Sequence, residues 1–182
     1  MKRGVLSLIT AAVMTTGAFA SSDNFLYLGA GTGNLGGDVE TTSGGSVDFG
    51  FRHYFDMGGP LGLGANLGLS TITPKDEQSF GSDTGASVTL IDLAFSGKYD
   101  IAGDDFFALA DLGYEYGAFE KGLADGSGMM AGIGLHYKVS KSIGIGIEHK
   151  MSTLDMTSTY GDNTFGIDTS RTYFTIDIRK SR

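Results

Sequence analysis

An alternation of apolar side chains with glycine or polar side chains constrains this chain more than any other feature. It is cleanest between Leu61 and Ser70, where the odd positions are aliphatic and the even positions are glycine, asparagine or serine. Because successive side chains of a β-strand point to opposite faces, this segment has one apolar face and one small, polar face. A soluble sandwich would bury the apolar face against a second sheet, whereas a membrane barrel turns it toward lipid and keeps the polar face inside.

The alternation recurs along the chain and predicts eight strands. They are Asn24–Gly33, Ser46–Asp56, Leu61–Thr71, Ser87–Tyr99, Phe106–Gly117, Met129–Val139, Ser142–Ser152 and Arg171–Arg179. The connections between them alternate in length, since residues 34–45, 72–86, 118–128 and 153–170 are long and residues 57–60, 100–105 and 140–141 are short. Outer-membrane barrels have short periplasmic turns and longer extracellular loops. The pattern therefore favours an all-β, eight-stranded antiparallel up-and-down transmembrane β-barrel with both termini in the periplasm. A soluble periplasmic lipocalin-like binder is the alternative architecture.

The N-terminus has the three parts of a secretory signal peptide. Lys2 and Arg3 are positive, Val5–Val13 is mostly apolar, and Ala18–Ala20 has the small-x-small form of a cleavage site. We therefore expect residues 1–20 to be a cleaved signal peptide and residues 21–182 to form one barrel domain. No later segment approaches the roughly 18 apolar residues of a spanning helix, so a membrane location requires a closed barrel.

Charge and cysteine content exclude several classes of function. The formal charge is −8, and removal of Lys2 and Arg3 leaves 11 basic against 21 acidic residues. Nucleic-acid binding needs a basic surface, so we expect no nucleic-acid partner. The chain has no cysteine, which rules out disulfides, thiolate chemistry and a lipid-anchored cysteine.

The polar parity of the predicted strands carries charges of both signs. A charge facing hydrocarbon would cost about 2–4 kcal/mol at mid-depth, so these side chains should point into the lumen and pair there. Glycines on the same parity would make room for them. The predicted lumen charge network is Asp48, Arg52, Asp92, Asp111, Glu115, Lys138, Glu148, Lys150, Arg171 and Asp177. Lys98 and Arg179 share this parity, and these two residues and Arg171 belong equally well at a hydrated rim. A network of this size predicts a plugged barrel without a large pore.

Four aromatic residues on the apolar parity lie beside the short connections. They are Phe55, Tyr99, Phe106 and Tyr137. Amphipathic rings prefer the membrane–water interface, so these residues are expected to form an aromatic girdle at the periplasmic side. Tyr114 and Tyr116 should lie toward the opposite rim.

No constellation of residues indicates a catalytic, cofactor-binding or metal site. His53 and His149 fall on the apolar parity and His136 on the polar parity, and none has the spacing of a zinc motif. Ser152 lies three residues after His149, so on a strand the two point to opposite faces and cannot share a proton. Acidic residues of the long connections are interpreted as solvated charge rather than as a cation site. They are Asp76, Glu77, Asp83, Asp125, Asp155, Asp162 and Asp168.

Three segments resemble the small outer-membrane β-barrel family, of the OmpA transmembrane-domain or OmpX type. They are Phe25–Gly31, Ile145–Ser152 and Thr172–Ile178. Members commonly end on an aromatic residue that assists barrel assembly, whereas Phe174 is the last aromatic residue here. The resemblance implies a monomer in the outer membrane of a Gram-negative bacterium, with no cofactor. Its implied partners are outer-membrane lipid and lipopolysaccharide, and periplasmic chaperones and the barrel-assembly machinery during biogenesis.

The resemblance implies a structural or interaction role in the envelope, with loops exposed at the cell surface. The family also includes lipid A-modifying enzymes, whose deacylases carry a His-x-Ser pair on the outer face. Here the residues two positions after the histidines are Phe55, Lys138 and Met151, so the pair is missing. We therefore expect the protein not to be an enzyme. A lipid A-modifying outer-membrane enzyme remains the alternative function.

Overall fold

Eight long antiparallel strands close into one barrel in the computed structural model of this protein. The structure describes residues 22–39, 42–57, 59–75, 79–80, 83–84, 86–103, 105–160 and 163–180. The predicted signal peptide, residues 1–20, lies outside the described residues. Among the described residues, no helix has the length and apolar composition needed to cross a bilayer.

Each barrel strand pairs with its neighbours in the chain, and the last strand pairs with the first. The strands are β1 (Ser22–Gly37), β2 (Thr42–Asp56), β3 (Leu61–Pro74), β4 (Ser79–Phe80), β5 (Asp83–Thr84), β6 (Val88–Ala102), β7 (Phe106–Phe119), β8 (Ala124–Lys138), β9 (Ile143–Ser158) and β10 (Thr164–Lys180). The barrel order is β1-β10-β9-β8-β7-β6-β3-β2, and β4 and β5 form a separate two-stranded hairpin. The predicted eight-stranded antiparallel up-and-down barrel is confirmed.

The strands extend further than their apolar alternation indicates. The predicted bounds of three long connections are therefore wrong, because those connections are shorter in the structure. β1 continues to Gly37, β9 continues to Ser158 and β10 begins at Thr164. In the stretch predicted as a loop at residues 118–128, only residues 120–123 lie outside the strands, and Glu120–Gly122 among them form one turn of 3₁₀ helix. Asp125, Asp155 and Asp168 therefore lie in strands rather than loops. The reason is that the strands stay paired through their backbones beyond the residues at which the outward side chains stop being apolar.

The register tilts the strands steeply. A path from one paired residue to the next goes once round the barrel. It starts at Leu26 on β1, passes through Phe51, Leu67, Leu93 and onward to Asp168, and returns to β1 at Gly36, ten residues further along the strand. A stagger of this kind is what closes a sheet into a barrel, and eight strands leave an interior just wide enough for side chains. We call the end with the short turns the lower end, and the opposite end the upper end.

The outward face is apolar over most of its height, whereas the interior is layered. Side chains such as Leu28, Leu93, Phe95 and Ile133 are exposed on the outside. Inside, the upper apolar layer consists of Leu35, Ile72, Ala86, Val88, Leu90, Phe119, Ala124, Leu154, Met156 and Ile167. The lower aromatic layer consists of Phe25, Tyr54, Phe107 and Leu109. Between them lies a polar, charged middle layer.

Candidate functional site

The middle layer of the interior is a buried ion network. We use this name for the buried charged residues Asp48, Arg52, Asp92, Asp111, Glu115, Glu148, Lys150, Arg171 and Asp177, together with His136. The structure therefore places every member of the predicted charge network inside the barrel except Lys138. Lys138 is half-buried near the lower end, and among the described residues its side chain has no hydrogen-bonding or ionic partner.

Arg52 holds the lower half of the ion network together. Its guanidinium donates to both oxygens of Glu148, at 2.8 and 2.5 Å, in the two-pronged geometry that favours arginine–carboxylate pairs. It also lies 3.4 Å from Asp111 and packs over the Tyr27 ring, 4.1 Å from the ring centroid. Asn66 donates to the same Asp111 carboxylate at 2.9 Å. β2, β3, β7 and β9 are thus cross-linked through the lumen.

Lys150 and Arg171 organise the upper half. The Lys150 ammonium donates to Asp48 at 2.7 Å, to Asp92 at 3.2 Å and to the Tyr27 hydroxyl at 3.2 Å. Arg171 donates to Glu115, and its other terminal nitrogen donates to Ser70 at 2.6 Å. Because buried charges are tolerated only when they are paired and hydrogen-bonded, these contacts explain how the lumen holds them.

His136 lies between two carboxylates and is the one histidine that points inward. Nδ1 of its ring is 2.5 Å from Asp177, Nε2 is 3.2 Å from Glu148, and Phe107 stacks on the ring. The three polar residues place potential ligand atoms within 4.8 Å of one another, as a metal centre would. The Arg52 guanidinium already pairs with the Glu148 carboxylate, so it would repel a metal ion bound between these residues. The arrangement fits an ion-paired network better than a metal site.

Glycines make room for the long inward side chains. A Cβ at Gly50 would collide with the Tyr27 hydroxyl, one at Gly68 with the Asp92 carboxylate, and one at Gly146 with the His136 ring. Gly68 and Gly146 thus lie beneath members of the ion network. Gly50 lies beside Tyr27, whose hydroxyl accepts a hydrogen bond from Lys150 of that network. Any larger residue at these positions would have to displace a buried polar side chain.

The lower rim carries a second, more exposed set of ion pairs. Lys98 lies 3.2 Å from Asp23 and 3.1 Å from Asp100, and Arg179 also pairs with Asp23. Arg179 covers the Phe25 ring, 5.0 Å from its centroid. Lys98 and Arg179 thus lie below the lower aromatic layer, apart from the ion network.

Sequence reasoning missed the two apolar layers and the inward tyrosines. Leu90, inside a predicted strand, shares the parity of Asp92. Leu154 and Met156, in a predicted loop, share the parity of Lys150, so following the inward parity over the whole length of each strand would have found them. Tyr27, Tyr54 and Tyr173 are buried inside as well, where they hydrogen-bond to polar partners of the middle layer.

The predicted aromatic girdle lies at one end of the barrel. Phe55, Tyr99 and Tyr137 are exposed on the outside, Phe106 is half-buried, and all four are next to the short turns of the lower end. At the upper end Tyr114 and Tyr116 are exposed, and they contact Ser127 at 3.3 Å and Asp125 at 3.0 Å.

The outer face is not uniformly apolar on β9, β10 and β1. His149 and Thr172 face outward and lie 2.9 Å apart between Nδ1 and Oγ1. Higher on the same strands, Thr153 donates to Asp168 at 2.7 Å. A groove of about 660 Å³ crosses this region from Leu112 to Asn34. His53, the third histidine, also faces outward and contacts Asn24 at 2.8 Å.

Known structures share this architecture. Neisserial surface protein A (NspA) aligns with a TM-score of 0.60 and 10% identity, over 87% of this chain and 99% of that chain. Ail, the attachment invasion locus protein of Yersinia pestis, solved with the heparin analogue sucrose octasulfate, aligns with a TM-score of 0.58 and 10% identity, over 88% and 100%. Neither a protein-family model nor a curated protein matches the chain. At this level of identity the likeness concerns architecture, and the chain has the fold of the small eight-stranded outer-membrane β-barrels.

Proposed function

We propose that this protein is a monomeric outer-membrane barrel of a Gram-negative bacterium, with a non-catalytic structural or interaction role in the envelope and a closed lumen. One observation carries the proposal: an apolar outer face surrounds an interior in which ion pairs lie between two apolar layers. Only a hydrocarbon environment stabilises such an outer face, because exposed residues such as Leu93 and Phe95 would otherwise face water.

The closed lumen is supported by the way the three layers fill the barrel. Bidentate and multiple contacts of Arg52 and Lys150 tie opposite strands together through the centre. A water-filled pore would need these charges to line a channel, as in larger barrels, rather than to meet across it. The apolar layers above and below add two further barriers to ions.

The partners follow from this placement in the envelope. The girdle of Phe55, Tyr99, Phe106 and Tyr137 would lie at the periplasmic interface, and the upper loops would meet lipopolysaccharide or external ligands. Periplasmic chaperones and the barrel-assembly machinery would handle the chain during insertion.

Cell fractionation tests the location. We expect the protein in outer membranes, with a gel mobility that changes on boiling because a folded barrel resists detergent. Recovery in the osmotic-shock fluid would instead support a soluble periplasmic binder and contradict the proposal.

Planar-bilayer recording tests the closed lumen. The refolded protein should give no large, stable conductance steps under conditions in which a known porin does. The double variant Arg52→Ala/Lys150→Ala, which removes the two cations at the centre but leaves both apolar layers in place, is the matched comparison and should also give no large steps. Large steps from the wild type would refute the plug.

A lipid-modifying enzyme is the second candidate, because His149 and Thr172 pair on the outer face as a base and a hydroxyl would. Mass spectrometry of lipid A from cells with and without the protein distinguishes the two functions. We expect the same acylation pattern in both, and a pattern that changes with the wild type but not with His149→Ala would favour the enzyme.

A further inference from the structure

We propose that the groove across β7, β8, β9, β10 and β1 holds one acylated glycolipid of the outer leaflet, with its acyl chain at the β7–β8 end and its headgroup at the β10–β1 end. The groove has a volume of about 660 Å³, within the range of about 300–1,000 Å³ typical of ligand pockets. The inference rests on the proposed outer-membrane location.

The groove follows the register round the barrel. Leu112, Ala131, Met151, Ser170 and Asn34 are successive partners on β7, β8, β9, β10 and β1, and all line it. Because a full circuit in this direction advances ten residues up β1, the row climbs toward the upper end as it passes from Leu112 to Asn34. The groove is therefore inclined, with one end deeper than the other.

Its chemistry changes along the incline. The deep end is lined by Leu112, Met129, Ala131 and Met151, whereas the high end is lined by hydroxyl, amide and carboxylate groups. A lipid in the outer leaflet has the same gradient, with hydrocarbon below and a polar headgroup above. Ala131 has the smallest side chain at the deep end, and it leaves the space that an acyl chain would fill.

The polar end selects a headgroup that donates hydrogen bonds. Asp168 and Thr153 are adjacent across β10 and β9, and the Thr153 hydroxyl donates to the Asp168 carboxylate at 2.7 Å. An ionised carboxylate has about four acceptor sites, so Asp168 retains capacity for further donors. Sugar hydroxyls and amide N–H groups fit this need, so we expect these groups of the headgroup, rather than its phosphates, to contact Asp168.

Native mass spectrometry of the protein released from nanodiscs tests the inference, with rough lipopolysaccharide in phosphatidylcholine as the probe. The wild type should retain one lipopolysaccharide molecule. Ala131→Phe, which fills the deep end, and Asp168→Ala, which removes the acceptor, should each lower the retained fraction about tenfold. Ala110→Phe is the matched control, because Ala110 is also exposed on the outer face but lies outside the groove lining, and it should retain lipid like the wild type.

Equal retention by Ala131→Phe and Ala110→Phe would overturn the inference, as would equal retention of phosphatidylcholine. Boiling-dependent gel mobility of every variant verifies that each barrel is folded. If folded wild-type protein recovered from outer membranes retains no lipopolysaccharide, the groove inference fails while the proposed function stands. Recovery of the protein in the osmotic-shock fluid would contradict both.

Discussion

At the scale of single residues, the interior of this barrel is governed by steric fit around buried polar groups. Gly50 lies against Tyr27, whose hydroxyl donates to Asn66 at 3.1 Å and accepts from Lys150. The small residue and the polar contact therefore depend on each other. Polar groups in a low-dielectric interior are costly when they lose a partner, so such positions should be the least tolerant of change.

Gly50→Ala should destabilise the protein by about 1–3 kcal/mol, because its Cβ would collide with the Tyr27 ring and with the Leu67 carbonyl oxygen. Gly45→Ala in the same strand is the control, since a Cβ there meets no atom within 4 Å, and its effect should stay within about 0.5 kcal/mol. Urea titrations of the free energy of unfolding in lipid vesicles measure both. Equal effects of the two substitutions would contradict the close packing of Tyr27 and the Leu67 backbone against Gly50.

The Arg171–Glu115 pair allows a test of charge pairing. Glu115→Leu should cost about 3–5 kcal/mol, because it leaves the Arg171 guanidinium buried without its partner. The double variant Arg171→Met/Glu115→Leu should recover a large part of that loss, since both charges are then absent. A double-mutant cycle on the free energy of unfolding measures the coupling, and additive effects would contradict a direct contact between the two side chains.

The parity of a residue could be read from the sequence, but its partner could not. Asp48, Asp92 and Lys150 were predicted to face inward, and all three do. That Lys150 lies between Asp48 and Asp92, on strands far apart in the chain, depends on the stagger of the closed barrel. Nothing in the local pattern of any one strand contains that stagger.

At the scale of strands, alternation is a reliable guide only where one face is apolar and the other polar. Near the upper end of β6 and β9 the inward side chains are also apolar, as Leu90 and Leu154 show, and the outward ones become polar. The polarity of the two faces is reversed there. The predicted strand at β9 therefore ends too early, at Ser152, whereas the predicted start of β6 at Ser87 lies within one residue of the observed start. Thr153 to Ser158 was assigned to a loop for this reason.

The upper apolar layer should contribute to stability as a core does. Leu90→Ala should cost about 2–5 kcal/mol because it leaves a cavity inside the barrel. Leu93→Ala, on the same strand but 54% exposed on the outer face, should cost less, since acyl chains refill the space. Unfolding in vesicles measures both, and a larger loss for Leu93→Ala would contradict the assignment of faces on β6.

At the scale of the whole molecule, the barrel is closed by pairing between the first and the last strand. Ala30 and Phe174 face each other across β1 and β10. The chain has no native cysteine, so Ala30→Cys/Phe174→Cys introduces one possible disulfide at a spacing that antiparallel partners allow. We expect it to form on oxidation and to alter the mobility of the unfolded protein on a non-reducing gel.

Ala30→Cys/Ile178→Cys is the control for that crosslink, because Ile178 pairs with Leu26, four residues away from Ala30. It should stay reduced under the same conditions. Efficient crosslinking of the control, or none in the first pair, would contradict the register that closes the barrel.

The eight-strand barrel could be predicted from sequence because strand number, parity and the alternation of connection lengths are local properties. The layered filling of the lumen could not, since it depends on which side chains meet across the barrel. The inclined groove was also out of reach, because Leu112 and Asn34 lie in one row only after closure.

The proposed function requires that the apolar side chains face lipid and that the charged interior does not. The chain has no tryptophan, so single tryptophans are unambiguous probes. Phe95→Trp replaces a side chain that is 85% exposed on the outer face, and Phe107→Trp replaces one that is 2% exposed inside. In vesicles of brominated lipid, the fluorescence of Phe95→Trp should be strongly quenched and that of Phe107→Trp should not. Quenching of the inner tryptophan with protection of the outer one would contradict this orientation of the two faces.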